Sequence, residues 1–136
     1  MKISTRGRYA SRALVEIVIN EEKGAVSLTK ISEKTGISVR YLEQIMRKLK
    51  KHNIVKTEQG VKGGYVLARP ASEITLKNIV DILEGEDYPV KCVTNPDSCE
   101  RIDTCGMLHV WKEVHYSIAA VLEKYSIKEL ASLYKK

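Results

Sequence analysis

The chain has 136 residues, of which 43% are hydrophobic and 29% are charged, and its formal net charge is +6. This length supplies one hydrophobic core, so we expect one compact domain with an appendage rather than two independent domains. No apolar run reaches the roughly 18 residues of a membrane span, and the opening MKISTRGRYA lacks the apolar stretch of a signal peptide. We therefore expect a cytoplasmic protein.

The positive charge is confined to the first half of the chain. Residues 1–66 hold 14 lysines and arginines against six glutamates and no aspartate, whereas residues 67–136 hold nine against 11 acidic residues. Such segregation is typical of a nucleic-acid-binding region joined to a region with another role, although a solvated basic surface gives the same count.

Three helices are predicted in the first 51 residues. Apolar residues within 8–20 recur on one helical face, with Thr5 as the candidate cap. Ser27 caps a second helix that ends at Gly36, and Ser38 caps a third, VRYLEQIMRKLKKH. This spacing matches a helix-turn-helix, in which the second helix of the pair enters the major groove of DNA. A generic helical hairpin is the alternative.

The third helix has one apolar and one basic face at 100° per residue. Arg40 and Arg47 suit the acceptors of guanine, and Gln44 suits adenine. The remaining candidate contacts, to phosphates or to the minor groove, are Ser38, Tyr41, Lys48, Lys50, Lys51, Gln59 and Lys62.

A β-hairpin follows the third helix and argues against the generic helical pair. Two short strands, 54–58 and 64–68, flank a glycine-rich turn with Lys62 at its tip. A basic hairpin in this position is a wing. The predicted fold class is therefore mostly α with a small β-hairpin wing, and residues 1–70 form a winged helix-turn-helix DNA-binding region.

The second region, 71–136, is predicted to have a different role. Thr75 caps a connecting helix that ends at Gly85, and residues 86–106 form a long loop containing all three cysteines. A long helix over 107–125 follows, and Ser126 and Glu129 have capping-box spacing for a short terminal helix on which Leu130 and Leu133 pack back. The long helix has an apolar row with the spacing of a dimerisation seam, formed by Met107, Trp111, Val114, Ile118, Val121 and Tyr125. An ordinary core helix is equally compatible with this row.

Cys92, Cys99 and Cys105 form either a ligand site or a set of unliganded thiols. Disulfides are disfavoured in a reducing compartment, and the short CxxC pairs usual in structural zinc sites are missing from the sequence. Soft thiolates in one loop suit an iron–sulfur cluster. A fourth ligand is then required, and Glu43 and His109 are the candidates; no enzyme constellation is present.

The whole chain resembles the Rrf2 family of bacterial winged-helix transcriptional regulators. The resemblance rests on MKISTRGRYASRAL, ISEKTGISVRYLEQIMRKLKK, GVKGGYVLARP, EITLKNIVDILEG and the cysteine loop before the Trp111 helix. It implies a homodimer, paired through the long helix, on a pseudo-palindromic promoter site. It also implies DNA contacts by Ser38, Arg40, Tyr41, Glu43, Gln44 and the wing around Gln59.

The resemblance further implies a cluster held by Cys92, Cys99 and Cys105, as in the IscR- and NsrR-like branch, with [2Fe-2S] favoured over [4Fe-4S]. Leu108 stands where IscR-like members have a ligating histidine, and Arg8 stands where some relatives supply an acidic ligand from the partner subunit. Both departures leave the fourth ligand open between Glu43 and His109.

The expected function is transcription regulation that senses iron–sulfur status or a signal that damages the cluster. A cluster-free regulator that responds to a metabolite or a partner enzyme, as in the CymR-like branch, is the alternative. A small cluster carrier is a third possibility, which leaves the basic half without a role.

Overall fold

The structure is a computed structural model that describes residues 3–60 and 63–134. Its helices are α1 (Thr5–Ile19), α2 (Leu28–Thr35), α3 (Val39–Lys51), α4 (Leu76–Glu84), α5 (Lys91–Thr94), α6 (Met107–Lys124) and α7 (Ile127–Ser132). Its strands are β1 (Val55–Glu58) and β2 (Gly64–Leu67). Within the described residues, the helices are too short or too polar to cross a bilayer. The predicted fold class, mostly helical with a two-stranded wing, is confirmed.

The predicted helix caps are confirmed at α2, α3, α4 and α7 but not at α1. Ser38 accepts a hydrogen bond from the Tyr41 amide at 3.2 Å, so α3 begins where the sequence places it. At α1 the cap is Ser4, whose hydroxyl accepts from the Gly7 amide, and Thr5 is already helical. The prediction of Thr5 as the cap is wrong because the backbone amide of Ser4 binds the Glu84 carboxylate, which fixes the chain one residue earlier.

The wing is an antiparallel hairpin tied to the chain before α2. Val55 pairs with Leu67 and Glu58 with Gly64, and Tyr65 forms a further bridge with Val26 through N–O distances of 3.0 and 2.8 Å. This bridge holds the root of the wing against the start of α2. The predicted tip residue, Lys62, lies outside the described residues.

One hydrophobic core draws on both regions of the chain. Its central element is α1, which packs against α2, α3, α4, α7 and β2. The fully buried side chains include Leu14, Ile17, Ile31, Leu42, Ile45, Met46, Leu49, Ile54, Ile74, Ile79 and Ile127. Burial of this apolar surface is the main stabilising contribution, and it fixes the inner face of α3.

The chain end returns to this core through backbone hydrogen bonds. The Leu76 amide donates to Tyr125 and the Ile127 amide donates to Ile74, both at 2.8 Å. The helix α7 then packs on α1, with Leu130 half-buried against the core. Leu133 is 68% exposed, so the prediction that it packs back is wrong.

Residues 86–106, here called the cysteine segment, are predicted as a loop and contain several short helical turns. The four-residue α5 is followed by 3-10 turns at Pro96–Ser98 and Ile102–Thr104. None of these turns extends further, because proline, aspartate and asparagine interrupt the segment and favour turn conformations. The segment packs through α5 against α6.

A Gly64→Ala substitution tests the seating of the wing. An added Cβ at this position meets the carbonyl carbon and oxygen of Val26 at 2.4 Å, so backbone must move. We expect a loss of about 1–3 kcal/mol in the free energy of unfolding, measured by urea denaturation. Gly106→Ala is the matched control, since nothing lies within 4 Å of its added Cβ; equal effects of the two variants would contradict the close approach.

Candidate functional site

The helix α3 presents two chemically distinct faces. Leu42, Ile45, Met46 and Leu49 are buried, as predicted, while Val39 is partly exposed at the start of the helix. The predicted contact residues are all exposed: Arg40, Glu43, Gln44, Arg47, Lys48, Lys50 and Lys51. The packed face holds the helix in place and the opposite face carries cations and amides toward solvent, which suits binding to an anionic surface.

Ser38 and Tyr41, the other two predicted contact residues, lie at the N-terminal end of α3 and have partners within the protein. The Ser38 hydroxyl caps α3, and the half-buried Tyr41 ring packs edge-on against Tyr9 of α1 with ring centroids 5.6 Å apart. Arg12 lies over the Tyr9 ring and donates to the Thr35 carbonyl at 2.6 Å. These contacts fix the turn between α2 and α3 to α1, so the exposed face of α3 has a defined orientation.

The root of the wing adds two lysines that the sequence analysis did not single out. A cavity of about 380 Å³ lies between the start of α2 and the hairpin, and its lining includes Lys23, Lys30, Ser27 and Gly63. The exposed Gln59 follows β1 at the beginning of the wing turn. Lys23 and Lys30 are distant from the wing in sequence, and the Val26–Tyr65 bridge brings the chain that carries them beside it.

The three cysteines are free and differ in burial. Cys92 on α5 and Cys99 are half-buried, and Cys105 is exposed. Among residues 3–60 and 63–134, no three His, Cys, Asp or Glu side chains lie close enough together to hold a metal ion. Three thiols in one solvent-accessible segment are nevertheless suitable donors for an iron–sulfur cluster. Ligation by all three requires the cysteine segment to close around the cluster.

Within the described residues, neither candidate fourth ligand belongs to a group of three or more potential metal ligands with the cysteines. Glu43 is exposed on α3, and His109 is exposed in the first turn of α6. His109 lies four residues after Cys105, a spacing that places two side chains on one face only if both residues belong to the same helix. The helix α6 begins at Met107 and Cys105 is extended, so the two side chains do not lie one helical turn apart.

The helix α6 has two apolar faces. His115 and Leu122 are buried on the side that packs into the protein, whereas Met107 and Val121 are 51% and 58% exposed. Val110 is also exposed, and a shallow groove runs along Val110, Val114, Ser117 and Ile118. Two of the predicted seam residues, Met107 and Val121, are therefore exposed, and the other four are half-buried: Trp111, Val114, Ile118 and Tyr125.

A polar network connects α4, α6 and the cysteine segment. His115 pairs through Nδ1 with the Tyr88 carbonyl, and the Tyr88 hydroxyl donates to Asp81 at 3.2 Å. Asp81 forms an ion pair with Lys77. The hydrogen bond that Lys77 donates to Asp81 raises the pKa of Lys77, and burial, reinforced by the Asp81 charge, raises the pKa of Tyr88, so both groups stay protonated at neutral pH.

Known proteins match this chain over nearly its whole length. Residues 3–133 match the family model of Rrf2, described as an iron-dependent transcriptional regulator. The HTH-type transcriptional regulator IscR of Photorhabdus laumondii is 31% identical over 132 residues, 97% of this chain and 80% of that protein. The sequence-based expectation of an Rrf2-like chain is confirmed.

Two solved structures have the same fold. The structure of CymR, the global cysteine regulator of B. subtilis, matches with a TM-score of 0.82 and 30% identity over 99% of both chains. The structure of T. potens IscR matches with a TM-score of 0.82 and 32% identity over 99% of this chain and 89% of the other. The relatives are thus named both as IscR proteins and as a cysteine regulator.

Proposed function

The chain belongs to the Rrf2 family of transcriptional regulators, and we propose that it binds promoter DNA as a homodimer and adjusts that binding to the state of its cysteine segment. Family members act by binding DNA and not by catalysis. The observation that carries the proposal is the exposed basic face of α3 beside a wing, held by a packed inner face.

The DNA contacts divide by chemistry. Arg40 and Arg47 carry guanidinium groups that pair with guanine, and the Gln44 amide pairs with adenine. We assign phosphate contacts to Lys48 and Lys51, at the C-terminal end of α3, and contacts to the DNA backbone or minor groove to Gln59 and Lys62. The lysines at the root of the wing, Lys23 and Lys30, extend this basic surface.

A Lys48→Ala variant tests the phosphate contact without knowledge of the target promoter. We expect weaker binding to a mixed-sequence duplex and a salt dependence of log K shallower by about one unit, because one fewer counterion is released. Fluorescence anisotropy over a series of salt concentrations measures both. Lys128→Ala is the matched control, an exposed lysine on α7 far along the chain from α3; identical slopes in the two variants would count against α3 as the DNA-binding helix.

Homodimerisation is supported by the outer face of α6. An exposed apolar row containing Met107, Val110 and Val121 on an 18-residue helix is costly in water, and a second copy of the same helix is a self-complementary cover. A twofold dimer also presents two α3 helices to successive half-sites, as a pseudo-palindromic promoter requires.

A Val121→Glu substitution tests the dimer. A carboxylate buried in an apolar interface lacks a partner, so we expect the monomer fraction to rise strongly in sedimentation equilibrium. Lys112→Glu introduces a carboxylate elsewhere on the exposed surface of α6 and is expected to leave the dimer intact. A dimer that survives Val121→Glu would rule out this face as the interface.

The sensing component that we propose is an iron–sulfur cluster held by Cys92, Cys99 and Cys105, with [2Fe-2S] favoured over [4Fe-4S]. Glu43 and His109 are the candidates for the fourth ligand. When bound, a cluster supplies a group whose charge and integrity respond to iron, oxygen or nitric oxide. The support is chemical: three free thiols lie within one accessible segment, in a chain whose relatives include IscR proteins.

Anaerobic reconstitution with ferrous iron and sulfide tests the cluster. We expect visible absorption and stoichiometric iron and sulfide in the wild-type protein, and loss of all three in the Cys92→Ser, Cys99→Ser, Cys105→Ser triple variant, because serine is a poor ligand for these soft sites. His52→Ala, at the end of α3, is the control for a donor outside the segment. A colourless wild-type protein after reconstitution would end the cluster proposal.

The second candidate is a cluster-free regulator that responds to a metabolite or a partner enzyme. Two observations favour it: the described residues contain no gathered metal-binding set, and the fold matches CymR along its full length. Under this alternative, the triple cysteine variant binds DNA with unchanged affinity under reducing and oxidising conditions. The triple variant thus separates the two candidates in one binding assay.

A further inference from the structure

Tyr88, at the start of the cysteine segment, is held by two different helices. Its backbone carbonyl accepts a hydrogen bond from Nδ1 of His115 on α6, and its hydroxyl donates to Asp81 on α4 at 3.2 Å. Its ring also packs against the His115 ring, with centroids 5.1 Å apart and planes inclined by 31°. One residue, four positions before Cys92, therefore joins the segment to both helices.

The His115 side chain has a defined protonation pattern in this contact. A carbonyl oxygen only accepts hydrogen bonds, so Nδ1 must carry the proton. His115 is 9% exposed, one of few polar side chains buried in the described part of the chain. Without the Tyr88 carbonyl, the buried donor would be unsatisfied, which opposes release of the segment.

Asp81 connects this contact to the DNA-binding half. Its other carboxylate oxygen pairs with Lys77, one turn earlier on α4. The helix α4 packs against α1, α3 and α6, and its buried Ile79 and Leu83 belong to the same core as Leu42 and Ile45 of α3. Through Asp81, Tyr88 therefore contacts a helix that packs against α3.

We propose that His115 and Tyr88 are positioning residues that latch the cysteine segment onto α6 and α4, and that α4 couples the state of this segment to α3. The latch stands on the contacts alone, whereas the coupling to α3 rests on the proposed function. This route requires no direct contact between the cysteines and α3.

Thiol modification of the metal-free protein tests the latch. Iodoacetamide labelling rates are measured for each cysteine by mass spectrometry in Tyr88→Phe, which removes only the hydroxyl, and in His115→Leu. We expect the half-buried Cys92 to react about two- to tenfold faster in both variants, the factor that corresponds to loss of one hydrogen bond. The exposed Cys105 is the internal reference and keeps its rate.

Two further variants separate positioning from general loosening. His115→Asn retains an amide donor near the position of Nδ1 and is expected to restore a Cys92 rate close to that of the wild type. Tyr116→Phe removes the hydroxyl of a neighbouring exposed tyrosine and is expected to change nothing. The latch is overturned if Cys92 reacts in Tyr88→Phe at the wild-type rate. It is also overturned if Cys92 and Cys105 are accelerated equally. If His115→Leu fails to fold, Tyr88→Phe alone decides the test.

The coupling has its own measurement. Duplex affinity is compared before and after alkylation, in the wild type and in Tyr88→Phe. We expect alkylation to shift the wild-type affinity several-fold and the variant's affinity less. Equal shifts overturn the coupling through Asp81. A wild-type protein that binds no duplex overturns the proposed function, while the labelling rates still decide the latch.

Discussion

The close packing of α1 at the centre of the core is the constraint on which the other elements depend. Ala10 and Ala13 of α1 are completely buried, and α2, α3, α4 and α7 all pack against this helix. A tightly packed interior tolerates few changes in volume, so the positions of these helices are mutually fixed. The orientation of the basic face of α3 follows from this packing, as does the site at which the chain end returns.

The helix α4 gives the two halves of the chain a shared element. Its apolar side contributes Ile79 and Leu83 to the core, and its polar side holds Lys77 and Asp81. Glu84, near its end, accepts a hydrogen bond from the backbone of Ser4. One short helix therefore contacts the start of α1, α3 and the entry of the cysteine segment.

Charge and apolar surface are separated in a way that suits two partners. The basic side chains of α3 and of the wing root belong to residues 1–66, and the exposed apolar row of α6 belongs to the acidic half. In the proposed function, the first surface binds DNA with release of counterions, and the second pairs with the same helix of a second copy through burial of apolar area. Because the two surfaces differ in chemistry and belong to different halves of the chain, each has its own partner.

Local patterns in the sequence determined the helices, most of their caps, the wing and the outward face of α3, because each depends on residues within one or two turns. Tertiary structure alone decided the features with distant partners. Glu84 selects Ser4 over Thr5 as the cap of α1, and the Tyr88 carbonyl explains the burial of His115. The distances from the cysteines to Glu43 and His109 also depend on tertiary structure, because no local periodicity links a loop to a helix elsewhere in the chain.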